Sequence, residues 1–159
     1  PARSGLGSSS TFIVGLINLL YNLYEKKINQ KKLYNEAINF EQNILKEKIG
    51  SQDQIITSYG GLKKILFRKN DNFICKNIPL NKSLEKTLNS SFVLVWTGIS
   101  RNADQIERKK FFNFDDKKII LKEIFELVDE TEKCFNKKKN CIKNLGVILN
   151  EQWRLKKKN

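Results

Sequence analysis

The chain has 159 residues, enough for one domain with a proper core or for two small layers sharing one. Histidine is absent, which excludes His-based triads, histidine acid/base chemistry and most zinc sites, and leaves carboxylates, hydroxyls, Lys/Arg and a hard metal to carry any reaction. The formal net charge of +13 favours anionic partners, but the lysines are spread along the chain, so a solvated basic surface that attracts phosphorylated small molecules is preferred to a nucleic-acid interface.

The chain opens on Pro1-Ala2-Arg3-Ser4-Gly5-Leu6-Gly7-Ser8-Ser9-Ser10-Thr11 and runs straight into the apolar stretch 12–24. A glycine-rich loop that opens a helix can hold a phosphate: Gly5 and Gly7 let the backbone approach an anion, and the free N–H groups of the first turn point at it. The hydroxyls of Ser8, Ser9 and Ser10 can cap that turn, bond phosphate oxygens or ligate magnesium. An ordinary capped helix start has the same composition. No lysine follows Gly7 as in the common P-loop, and the spacing and flanking strand of a dinucleotide fingerprint are missing. The stretch 12–24 is too short to span a bilayer and contains Asn18 and Asn22, so it reads as a buried helix. No signal peptide is visible, and with no methionine anywhere the chain is expected to be a piece whose natural start is missing.

Residues 29–48 carry Leu33, Ala37, Ile38, Phe40, Ile44 and Leu45 at the spacing of an amphipathic helix, which Gly50 is expected to end. Glu41 falls inside that stripe, where a carboxylate must be satisfied by a neighbour or bound to a cation. Ser51-Gln52-Asp53-Gln54 starts a short helix that stops at Tyr59-Gly60-Gly61, and the default role of Asp53 there is a cap. Residues 62–67 and 73–78 read as two strands of a hairpin joined by Lys69-Asn70-Asp71-Asn72.

A short amphipathic helix is expected over 80–88, followed by a buried strand over 92–96, Phe92-Val93-Leu94-Val95-Trp96. Polar residues just beyond such a strand line ligand crevices in mixed sheets, which makes Thr97, Ser100 and Arg101 candidates. The last third is helical, with one apolar stripe through Ile120, Ile124, Leu127, Val128, Thr131 and Phe135 and another through Ile142, Leu145, Ile148, Leu149 and Trp153. Cys75, Cys134 and Cys141 are odd in number and fit no zinc pattern, so they read as packing residues of a reduced, cytoplasmic protein.

The ordered set Pro1, Gly5-Leu6-Gly7-Ser8-Ser9, Glu41, Gly50-Ser51-Gln52-Asp53-Gln54, Tyr59-Gly60-Gly61 and Thr97-Gly98-Ile99-Ser100-Arg101-Asn102-Ala103 resembles the GHMP kinases. Within that superfamily the Gln-Asp-Gln and Thr-Gly-x-x-Arg-x-Ala elements look like the heptose 7-phosphate kinases. The resemblance implies an α+β fold, with a ribosomal S5 domain 2-like ATP-binding domain over 1–88 and the start of a ferredoxin-like domain over 89–159. It implies that Gly5, Leu6, Gly7, Ser8, Ser9 and Ser10 wrap the phosphates of ATP, with Ser9 and Glu41 on Mg2+. Asp53 would lie beside the sugar hydroxyl that attacks the γ-phosphate, as base or orienting group. Gly60, Gly61, Thr97 and Arg101 would face a small sugar-phosphate substrate.

The implied reaction is phosphorylation of the anomeric hydroxyl of a heptose 7-phosphate for nucleotide-heptose synthesis. Phosphoryl transfer asks a protein mainly to position groups and spread negative charge, so the lack of histidine is no obstacle. Family members carry a basic residue before the loop and a later glycine-rich segment, and neither is among these residues. The alternatives are the same fold acting on another sugar such as fucose, and a basic nucleic-acid-binding module without kinase activity.

Overall fold

The computed structural model describes residues 6–70, 72–96, 98, 114–137 and 140–157. Within it the chain forms two compact units, the first built from residues up to Lys63 and the second from residues 64–95 and the C-terminal helices. Gly5, Thr97, Ser100 and Arg101 lie outside the described residues.

In the first unit, helix α1 spans Ser8–Leu23 and helix α2 spans Gln30–Ile38. Asn29 caps α2 by accepting the N–H of Lys32 at 2.8 Å. The two helices share a core of Ile13, Val14, Leu33 and Ala37, against which Ile17, Ile28 and Phe40 pack. The buried helix expected over 12–24 is buried on one face only: Ile13 and Val14 are in the core, but Phe12, Leu19, Leu23 and Tyr24 are exposed, because α2 and the third helix cover one face of α1.

The amphipathic helix expected over 29–48 changes form midway. After Ile38 the chain widens into a π-helix, Asn39–Ile44, in which the Leu45 N–H reaches back five residues to the Phe40 carbonyl at 2.9 Å. The wider turn rotates everything that follows, so Ile44 and Leu45 leave the stripe and are exposed, while Glu41 is turned fully inward. Gly50 does not end this segment. Lys46, at φ 58°, takes the left-handed position instead. Helix α3, Gln52–Tyr59, follows as expected and packs on both α1 and α2. Gly60 ends it at φ 66°, ψ 172°, a conformation open essentially to glycine alone.

In the second unit, β1 (Lys63–Phe67) and β2 (Phe73–Asn77) form the expected hairpin, with Asn70 at φ 60° in its turn. Helix α4 (Lys82–Ser91) is capped by Asn81, and α5 (Phe114–Lys137) packs along α6 (Cys141–Lys157). The architecture is α+β. Lys64 bonds Asp129 at 2.5 Å and Glu132 at 2.7 Å, and Lys76 bonds Glu132 at 2.5 Å, which ties the hairpin to α5.

Two expectations are corrected here. Residues 92–96 form no strand, and their side chains are 46 to 84 % exposed, because no described segment pairs with them and a strand is buried only by its neighbours. On α6 the buried stripe runs through Cys141, Leu145, Ile148 and Leu155, leaving Leu149 and Trp153 exposed. All three cysteines are free thiols.

Candidate active site

The first unit converges on the start of α1. Gly7 stands at its N-cap with φ 67° and ψ 21°, and among the described residues no side chain caps the turn, although three serines follow. The asparagine-capped α2 and α4 show what an ordinary start looks like in this chain. The leading N–H groups of a helix have no partner within it, and here they gather at a glycine that lets an anion come close. Leu6, Ser8 and Ser9 are exposed at this turn, whereas Ser10 is buried.

Asp53 meets Gly7. It lies in the first turn of α3, and a Cβ built on Gly7 would come within 2.9 Å of both its Cγ and its Oδ2. The carboxylate therefore fills the space a side chain at position 7 would need. One helical turn further along each partner, the Thr11 and Thr57 hydroxyls stand 3.3 Å apart. Gly60 and Gly61 are exposed at the opposite end of α3.

Beneath this surface lies a closed polar triangle contributed by α1, the π-helix and α3. The Ser10 hydroxyl donates to Glu41 Oε1 at 2.9 Å, and Gln54 Nε2 donates both to Ser10 Oγ at 3.1 Å and to Glu41 Oε2 at 2.5 Å. Glu41 and Gln54 are 0 % exposed. Burial pushes the Glu41 carboxyl above its usual range; the bonds from Gln54 and Ser10 work the other way. Gln54 Oε1 and the Ser58 hydroxyl are buried with no partner among the described residues.

The triangle bears on whether Glu41 could hold magnesium with Ser9. A carboxylate and a serine hydroxyl are the right kinds of donor for a hard cation. The arrangement does not fit: Glu41 faces Ser10, Ser9 points to solvent, and each Glu41 oxygen is already engaged at zero exposure. Glu41 here is a tie between three elements. Among the described residues no three His, Cys, Asp or Glu side chains cluster as a metal site.

Gln54 carries weight that reading the sequence did not assign to it, and Ser10, expected among the residues around the ATP phosphates, bonds Glu41 with its hydroxyl. The signal for Gln54 was available, since it follows Asp53 on a helix whose next residue, Ile55, is buried.

An uncapped glycine turn at a helix start offers free N–H groups to an anion, and here a carboxylate stands against it. Residues 1–61 match the family model of the GHMP kinases N terminal domain. Over 99 % of its length the chain is 28 % identical to the D-glycero-alpha-D-manno-heptose 7-phosphate kinase of Campylobacter jejuni, and it spans 46 % of that protein. No solved structure matches the chain. Among the described residues no helix is long and apolar enough to cross a membrane.

Proposed function

We propose that this chain is part of an ATP-dependent sugar kinase that places phosphate on the anomeric hydroxyl of a heptose 7-phosphate. The observation that carries the reading is the contact of Asp53 with the uncapped Gly7 turn, which sets an anion-binding backbone beside a carboxylate. The loop from Gly5 to Ser10 takes the ATP phosphates. Asp53 receives or orients the proton of the attacking hydroxyl, and the N–H groups of the first turn spread the charge that builds on the transferred group. Magnesium would accompany ATP as its counter-ion, the hydroxyls exposed at the turn, Ser8 and Ser9, being of the kind that ligates it, and Glu41 ties the elements beneath the turn.

By the family plan an S5-like ATP-binding part runs over 1–88 and the start of a ferredoxin-like part over 89–159, a boundary later in the chain than the one between the compact units, in a cytoplasmic enzyme. By the resemblance, Thr97 and Arg101 serve the sugar phosphate. A substrate that already carries a phosphate needs a fixed cation, and the planar guanidinium of Arg101 matches it better than an ammonium would.

The test compares Arg101→Ala with the parent, in the full-length protein, on a heptose 7-phosphate and on the unphosphorylated sugar. A charge-assisted contact of roughly 1.5–3 kcal/mol corresponds to an affinity loss of about tenfold to over a hundredfold for the phosphorylated sugar alone. An equal penalty on both sugars removes heptose 7-phosphate as the substrate, and no transfer to any sugar by the parent enzyme removes the kinase reading.

A further inference from the structure

Asp53 cannot hold its place against Gly7 by itself. It sits on a short helix, in a segment that begins only after the left-handed turn at Lys46, and among the described residues its carboxylate makes no hydrogen bond to α1. What joins α3 to the start of α1 is the side chain of its neighbour. The two N–H groups of the Gln54 carboxamide are both spent, one on Ser10 in the first turn of α1 and one on Glu41 in the π-helix. Ser10 closes the triangle onto Glu41. Each bond links segments distant in the chain, and all three side chains are buried, where hydrogen bonds are stronger than in water.

The π-helix belongs to the same device. A regular α-helix through 39–44 would keep the next turn of the stripe on the core; the inserted wide turn instead releases Ile44 and Leu45 while keeping Glu41 inside. The chain thus gives up apolar burial around a carboxylate whose two oxygens accept from the two helices that bear Gly7 and Asp53.

We propose that Gln54 is a positioning residue of the kinase site: through Glu41 and Ser10 it locks the first turn of α1 to α3 and so sets the Asp53 carboxylate against the Gly7 turn. The proposal rests on the kinase reading above for its effect on turnover, but the lock itself is independent of that reading. Gln54 touches neither phosphate nor sugar; it acts through Asp53.

The experiment uses the full-length protein with Gln54→Leu, which keeps the size of the side chain and removes both donors, and Ser10→Ala as the milder variant that breaks the triangle at its other corner. Two quantities are read at a temperature where circular dichroism shows both variants folded. The first is amide hydrogen exchange of residues 8–11 and 52–57, expected to speed up by tenfold or more in Gln54→Leu while α2 is unchanged. The second is the split between kcat and KM with ATP and a heptose 7-phosphate, expected as a ten- to hundredfold fall in kcat with KM for ATP within threefold. A purely structural glutamine would lower the melting temperature and leave kcat alone. The lock is overturned if exchange at the α1 start is unchanged in both variants, and the positioning role is overturned if exchange rises while kcat holds. A parent enzyme without kinase activity would defeat the proposed function, and the exchange measurement would still decide the lock.

Discussion

Gly7 and Asp53 occupy one another's space: the carboxylate lies 2.9 Å from where a β-carbon of residue 7 would be. Gly7→Ala therefore meets two costs together. A left-handed φ of 67° costs an L-residue roughly 1–2 kcal/mol, and the Asp53 side chain must move as well. The larger Gly7→Val should abolish detectable ATP binding, as measured by titration calorimetry of the full-length protein. Unchanged nucleotide affinity in that variant would show that the turn does not hold phosphate.

Glu41→Gln should leave the fold and the magnesium requirement as they are. The replacement keeps its size, and with its new amide facing Ser10, whose oxygen can accept from both amides, its remaining oxygen still accepts from Gln54. Glu41→Leu, which strands Ser10 and Gln54, should cost about 1–3 kcal/mol. Urea titrations of the two variants and magnesium titrations of their activity check this. A raised magnesium requirement in Glu41→Gln would mean that the carboxylate opens toward the ion during turnover.

The second unit carries a pH-dependent contribution to stability. Hydrogen bonds from Lys64 and then Lys76 hold the Glu132 carboxyl at about 2, against an ordinary 4.5. A lowered native value means that the unfolded chain binds the proton first as the pH falls. The stability Glu132 contributes is thus complete above about 4.5 and is lost progressively toward 2. Glu132→Gln should melt below the parent near neutral pH, with a gap that narrows through this window and shrinks in high salt, since the pairs are partly exposed. A gap independent of pH would mean that the side chain contributes packing alone.

Where local chemistry decides the outcome, the chain is readable directly. The hairpin follows from two short apolar runs around Asn70 and the end of α3 from Gly60, while Asp53 stands out only through the resemblance, which puts it beside the attacking hydroxyl. The π-helix is different, because residues 39–44 have ordinary helical spacing, and what widens the turn is the tertiary demand to bring Glu41 under Ser10 and Gln54. The same spacing placed Glu41 on the core side but could not say whether a cation or a pair of neutral donors would satisfy it. The run Phe92-Val93-Leu94-Val95-Trp96 has the composition of a buried strand, yet composition cannot supply the neighbour that buries it.

Asp53→Asn is the most direct test of the catalytic reading, because the two side chains have the same shape and differ in the ability to take a proton. Steady-state kinetics of the full-length enzyme with ATP and a heptose 7-phosphate should show kcat reduced by about a hundredfold to ten-thousandfold, as for loss of a general base, with both KM values little changed. Ordinary turnover with a weakened sugar KM would contradict it and make Asp53 a binding residue only.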